Sequence, residues 1–349
     1  MSSDTTPPGR KPKPPMSRLM RLSLKAVDWA TDATRRADGT LNRLALSVLD
    51  PRVPAFSSPC RGVASRDIVL DAPTRLRARL FYPAAAGKDE RPPPLPVIVF
   101  FHGGGFAFLS AASVAYDAAC RRIARYASAA VLSVDYRRAP EHRCPAAYDD
   151  GIAALRYLDD PKNHSGAGAV PPLDAARCYL AGDSAGGNIA HHTARRYACD
   201  ATAFQNVRVA GLVAIQPFFG GEERTDSELR LDGAPIVTVS RTDWMWRAFL
   251  PDGCDRTHEA ANFAAPSAAS GVDSPAFPPV LLAIGGYDPL QDWQRRYAEM
   301  LRSKGKDVRV LEYPNAIHAF YVFPAFDDGR DLMIRIAEFV AESAGGGSE

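Results

Sequence analysis

No stretch of this chain approaches the roughly 18 apolar residues of a membrane-spanning helix, and neither sign of charge dominates. Its 42 Lys and Arg stand against 40 Asp and Glu, a formal net charge of +2. The first absence excludes a helical membrane span. The second removes the electrostatic footprint of a nucleic-acid or polyanion binder. Six cysteines (Cys60, Cys120, Cys144, Cys178, Cys199 and Cys254) are scattered with no CxxC pair, so zinc-ribbon and dithiol readings lack support and no metal is expected. There is no internal repeat and no secretory signal, so the thiols are expected to be reduced and the location cytoplasmic or nuclear. The opening SSDTTPPGRKPKPP is polar and proline-rich, a composition that favours disorder over residues 1–15. Six basic and no acidic residues between positions 10 and 25 leave an organelle transit peptide as the alternative, against which the early prolines argue.

What the sequence does contain is 46% hydrophobic residues over 349 positions, ordinary globular usage. From Met16, Leu19, Leu22, Ala26, Trp29 and Ala33 recur at helical spacing, and Leu41, Leu44 and Val48 suggest a second short helix. Residues 16–50 therefore read as a helical segment that packs on the core or lies over a cleft. IVLDA near Ile68 and LRARLFYP at 76–83 read as an antiparallel pair. PVIVFF, AVLSVDY, RCYLAG, VAGLVAIQP, PVLLAIGG and VRVLEYP read as buried strands separated by helices. Alternation of this kind implies an α/β fold with a doubly wound, mostly parallel sheet. Residues 219–275 break the rhythm and are too long for a plain connection. They are read as an inserted helical cap within a main domain of residues 51–343, with 344–349 a flexible terminus.

The stretch LAGDSAGGN contains Gly182-Asp183-Ser184-Ala185-Gly186, a G-x-S-x-G pentapeptide expected by chance about 0.1 times in such a chain. It is either a glycine-rich packing turn or a nucleophile elbow. A strand before it and a helix after it favour the elbow, which exposes the serine hydroxyl at the sheet edge. A serine needs a base. Of seven histidines, His318 falls in a loop after the strand VRVLEYP, at the same edge. The acid that orients it is Asp288 in GGYDPLQD, with Asp292 the competitor one helical turn later, more suited to capping. HGGGF at 102–106 follows the strand PVIVFF, so Gly104 and Gly105, with Ala185, are expected to donate N–H groups to an oxyanion. No Walker lysine follows those glycines, which weakens a phosphate reading. Phe106, Phe108, Phe218, Trp244, Trp246 and Tyr321 are candidates for an apolar substrate pocket and would serve equally as core.

Together, HGGGF, GDSAGGN, DYRRAPEHRCPAAYDD, GYDPLQD and the late histidine resemble the hormone-sensitive-lipase-like group of α/β-hydrolases, plant carboxylesterases in particular, over residues 20–340. The resemblance implies an α/β-hydrolase fold with a cap. It also implies hydrolysis of a small-molecule carboxylic ester or lactone through an acyl-enzyme, without metal or cofactor. Ser184, Asp288 and His318 then form the triad, while Asp135, Glu141, Asp149 and Asp150 are structural. Nothing in it sets an oligomeric state. Two positions depart from the family pattern: Ala319 follows the histidine where glycine is usual, and Arg138 makes YRRAPE of the usual YRLAPE. The same group includes gibberellin receptors, hydrolase folds without catalysis whose N-terminal segment forms a lid over the hormone. RRADGTLNRLALSVLDPRVPA and DWQRRYAEML are similar to their segments, so a hormone-binding protein is the alternative. Those receptors replace the catalytic histidine and tend to lack the third HGGG glycine. This chain keeps His318 and Gly105, which favours the enzyme.

Overall fold

The computed structural model describes residues 14–36, 38–84, 93–164, 171–324 and 326–345; of the disorder expected at 1–15 and the flexibility expected at 344–349, positions 1–13 and 346–349 lie outside the described residues. Among the described residues one eight-stranded sheet organises the fold. Its strands are β1 (Val63–Asp71), β2 (Leu76–Pro83), β3 (Leu95–Phe101), β4 (Ala130–Asp135), β5 (Leu173–Asp183), β6 (Val209–Ile215), β7 (Val280–Gly285) and β8 (Val308–Tyr313). The spatial order is β1-β2-β4-β3-β5-β6-β7-β8. β2 runs antiparallel to both its neighbours, and every pair from β4 to β8 is parallel.

The continuous apolar runs arise because helices cover both faces. Along β3, Val97, Val99 and Phe101 enter one core cluster while Ile98 and Phe100 enter the other, the period-2 alternation of a doubly buried strand. The first cluster packs against α4 (Ala146–Asp159), α5 (Ala185–Cys199) and α8 (Gln291–Ser303). The second packs against α3 (Val114–Ala127) and α9 (Asp328–Gly345). After β3 the chain moves to β4 on one side and then returns to β5 on the other, so the order reverses at β3. A crevice opens beyond the carboxyl ends of strands at such a switch point, and β3 and β5 carry the HGGG loop and the serine turn to it.

Residues 219–275 hold two short helices, α6 (Asp226–Arg230) and α7 (Val239–Phe249), and a 3-10 turn at Pro266–Ala269, amid turns and loops. α6 begins with a capping box of Thr225 and Glu228. Among the described residues no helix is long and apolar enough to cross a membrane.

The N-terminal segment forms α1 (Arg18–Thr34) and α2 (Arg43–Leu49), but its orientation differs from expectation. Leu19, Leu22 and Trp29 of the periodic stripe are 75%, 64% and 69% exposed, and Leu44 and Val48 are 80% and 77% exposed. The inward face of α1 instead carries Leu24, Asp28 and Thr31. Polar groups decide this direction. Arg241 of α7 donates to Asp28 Oδ1 at 2.6 Å and to Asp32 Oδ1 and Oδ2 at 2.8 and 2.7 Å. Asp28 also accepts from Ile236 N at 2.9 Å. An almost fully buried guanidinium must be paired, and only this rotation of α1 presents both carboxylates to it. Replacing Arg241 by methionine is therefore expected to cost about 2 kcal/mol, less than a fully buried pair because the carboxylates stay partly solvated. Denaturant unfolding would show the loss, and hydrogen exchange would show it concentrated in the α1 amides.

Candidate active site

Ser184 sits between β5 and α5 with φ +54° and ψ −121°, a conformation that costs an L-residue on the order of 1–3 kcal/mol. The turn is held on both sides. Ser184 N donates to Ile215 O at 2.9 Å, and its carbonyl accepts from Phe218 N at 2.9 Å and Asn188 N at 3.1 Å. The flanking glycines are dictated by closeness. A Cβ on Gly186 would lie 1.9 Å from Phe101 O, and one on Gly182 would lie 2.3 Å from Gly186 O. Any other residue would push the elbow off the end of β3.

His318 and Asp288 meet from the loops after β8 and β7. His318 Nδ1 lies 2.8 Å from Asp288 Oδ2, and both side chains are buried. The carboxylate is fixed in turn, Oδ1 accepting from Leu290 N at 2.9 Å and Oδ2 from Gln294 Nε2 at 2.9 Å. Burial opposes charging of the imidazole, but the negative charge and hydrogen bond of Asp288, with a further contribution from Asp183, outweigh it. The net result holds the His318 pKa above its ordinary 6.5. Gln216, which sequence reasoning missed, clamps the backbone around His318. Its Nε2 donates to Ile317 O at 3.1 Å and its Oε1 accepts from Ala319 N at 2.7 Å. Ala319 adopts φ +56°, the left-handed region that favours glycine; the bond to Gln216 holds alanine there.

The glycine loop after β3 is shaped for donation. Gly103 N is consumed, donating to Tyr116 Oη at 2.8 Å and Asp183 Oδ1 at 2.9 Å. Gly104 lies at φ +103° and a Cβ there would meet Phe108 O at 2.5 Å; Gly105 lies at φ +57°. Among the described residues the N–H groups of Gly104, Gly105 and Ala185 have no hydrogen-bond partner. Ala185 is also the first residue of α5, where the helix dipole favours negative charge. Asp183, the second position of the pentapeptide, ties the loop to the elbow, since Tyr116 Oη also donates to its Oδ2 at 2.9 Å. Burial pushes its carboxyl up to about 6 against those hydrogen bonds and the nearby His318.

These groups open on one cavity of about 460 Å³, lined by Gly104, Gly105, Ser184 and His318 together with Phe108, Phe218, Met245 and residues of α1 and α2. Ser184 Oγ and His318 make no hydrogen bond to one another among the described residues; both face this cavity, and such bonds often form only with substrate in place. Four of the aromatic pocket candidates lie elsewhere. Phe106 stacks on Phe249 at 3.6 Å between ring centroids, and Trp246 packs on Phe218 at 4.3 Å. Trp244 backs Phe108 from behind at 5.8 Å. Tyr321 is buried close enough to Asp183 to influence it, yet its hydroxyl makes no regular hydrogen bond. All four are large rings claimed by the core before any ligand arrives.

The remaining histidines, with Asp292, Glu141, Asp149 and Asp150, have structural partners or face solvent. His102 is stacked on Tyr136, with burial pushing its pKa down to about 4. His191 bonds Tyr297 Oη at 2.8 Å and His192 bonds Arg195 at 3.0 Å. His164 Nε2 lies 2.8 Å from Leu158 O, His258 Nδ1 accepts from Ala260 N at 3.1 Å, and His142 is exposed. Asp292 Oδ2 accepts from Ser227 N at 2.8 Å and so serves α6 rather than His318. Glu141 pairs with Arg43 at 2.9 Å, Asp150 with Arg137 at 2.7 Å and Asp149 with Arg196 at 2.6 Å. Arg138 donates to Leu109 O, supporting the loop that carries Phe108. Among the described residues no group of three or more His, Cys, Asp and Glu is placed to hold a metal ion.

A strained serine elbow, a buried imidazole–carboxylate pair and amides without partners among the described residues lie together at one switch point of a doubly wound sheet. The chain belongs to the alpha/beta hydrolase fold family, whose model matches residues 98–322. It is 43% identical over 320 residues to a gibberellin receptor of Arabidopsis thaliana, covering 89% of this chain and 90% of the receptor. It is 35% identical over 273 residues to carboxylesterase 20 of Arabidopsis thaliana, covering 75% and 80%. Among solved structures it resembles the Pyrobaculum calidifontis esterase with a TM-score of 0.70 and 28% identity, over 95% of this chain and 99% of that one.

Proposed function

We propose that this protein is a serine carboxylesterase that hydrolyses a small-molecule carboxylic ester or lactone. Ser184 Oγ attacks the acyl carbonyl while His318 accepts its proton. The N–H groups of Gly104, Gly105 and Ala185 receive the oxyanion. His318 then donates the proton to the leaving alcohol, and water resolves the acyl-enzyme by the same steps in reverse. Asp288 fixes the tautomer and stabilises the imidazolium. The observation that carries this reading is the buried His318–Asp288 pair at 2.8 Å, opening on the same cavity as Ser184. A chain that only held a ligand would not need a buried imidazole–carboxylate pair set at the same cavity as a serine elbow. The carboxylesterase relative and the esterase-like structure point the same way.

The 43% identity to a gibberellin receptor favours a second reading, a ligand holder closed by α1 and α2. A fluorophosphonate probe separates the two. The esterase is expected to be labelled once per chain, at Ser184, within minutes. An unlabelled Ser184 in folded protein, with tight binding of a carboxylate hormone, would establish the ligand holder instead.

A further inference from the structure

One wall of the cavity carries a polar group that the hydrolytic scheme leaves unused. Asp50 ends α2 and is 7% exposed. Its backbone N donates to Leu46 O at 2.8 Å, and its Oδ2 accepts from Ser113 Oγ at 2.8 Å. Ser113 is itself buried, and its hydroxyl accepts from Ser110 N at 2.9 Å. The carboxylate is thus locked in orientation. Its other oxygen, Oδ1, has no hydrogen-bond partner among the described residues, and Asp50 lines the cavity beside the apolar Leu46, Leu49, Phe108 and Leu109. Arg52 and Arg138 are near enough to favour its charged form, but neither forms an ion pair with it, and burial raises its pKa. A carboxylate oxygen left without a partner on the wall of a largely apolar cavity favours a ligand that donates to it.

The position of Asp50 relative to the nucleophile follows from α3. Asp50 is bonded to Ser113, the residue before α3, and Tyr116, one turn on, is bonded to Asp183 beside Ser184. That turn spans about 5 Å. We propose that Asp50 Oδ1 is a specificity subsite, accepting a hydrogen bond from a hydroxyl or ammonium group carried on an otherwise apolar carboxyl compound whose carboxyl carbon lies at Ser184. The substrate class is then a hydroxy- or amino-substituted acyl group, not a plain alkanoyl chain. This deepens the esterase reading and rests on it for which end of the ligand meets Ser184.

Calorimetric binding tests it without turnover. Straight-chain carboxylates of about four to about ten carbons are compared in three forms, ending in methyl, hydroxyl or ammonium. At one chain length a donor-ended acid is expected to bind the wild-type protein about 10- to 100-fold tighter than its methyl-ended counterpart, the range for a hydrogen bond to a charged group. The donor that gains most names the substrate class. Asp50→Leu is expected to abolish or invert that preference. Asp50→Asn keeps an acceptor for Ser113 and guards against loss of fold; it is expected to lose any ammonium preference while keeping part of a hydroxyl preference. The proposal is overturned if no length shows a donor advantage, if the advantage survives Asp50→Leu, or if an ammonium preference survives Asp50→Asn. Fluorophosphonate labelling of the same samples reports on Ser184 separately, so failure of the subsite and failure of the esterase reading are distinguishable.

Discussion

Replacing Ser184 by alanine is expected to lower kcat on p-nitrophenyl acetate by about 10⁴- to 10⁶-fold, the loss seen when a triad nucleophile is removed. The size follows from what stays behind. The amides of Gly104, Gly105 and Ala185 are backbone groups held by the loop and by α5, and His318 keeps its bond to Asp288. The variant therefore retains a polarising site but no atom able to form the acyl-enzyme, and direct attack by water is all that remains. Substrate binding should change little, so the deficit should appear in kcat and leave KM nearly unmoved. Ser184→Gly separates chemistry from folding. At φ +54° glycine relieves the strain that serine and alanine both carry, so this variant should be as inactive as Ser184→Ala yet unfold at a higher temperature. Wild-type turnover in either variant would remove Ser184 from the mechanism.

The site was far more legible in the sequence than the surface that covers it, for physical reasons. β3 and β5 are buried on both faces, so their residues carry one unambiguous signal, and the loops that follow them inherit a known location. The glycines of the elbow were readable because backbone packs against backbone there, as the 1.9 Å approach at Gly186 shows, and no other residue substitutes. α1 failed the same kind of reading. Helical periodicity reports that two faces differ, not which one points inward. Here the polar face turns in because Asp28 and Asp32 meet Arg241, more than 200 positions away. Four of the six aromatic candidates lie away from the cavity for a related reason: Phe106 and Tyr321 are indistinguishable in sequence from the cavity-lining Phe108 and Phe218 until the core has claimed them. Asp183, Gln216 and Asp50 left no signal at all, since each acts through a partner that only folding brings near.

Asp288→Asn should come close to the nucleophile variants in its effect, with a signature they cannot produce. Two donors, His318 Nδ1 and Gln294 Nε2, converge on Asp288 Oδ2, while a third, Leu290 N, faces Oδ1. A carboxylate accepts all three; an amide has only one accepting end. If the asparagine oxygen faces His318, its NH₂ is set against Leu290 N–H. If it turns to serve Leu290, its NH₂ faces His318 Nδ1, which then becomes an acceptor and leaves the proton on Nε2, where it blocks uptake of the serine proton. Loss of kcat by about 10⁴-fold is expected on this ground. The pH profile carries the rest. If His318 is the base, as proposed, it must be neutral to act, so wild-type kcat/KM should rise with pH through a midpoint above 6.5, the direction set by Asp288 over the opposing effect of burial. Without that charge, burial dominates, protonation becomes harder, and the residual activity of Asp288→Asn should rise through a midpoint displaced to lower pH. A His318→Ala variant should lose this limb entirely. An acid limb in the same place for wild type and Asp288→Asn would mean that His318 is not the titrating base, and the proton path drawn through it would have to be abandoned.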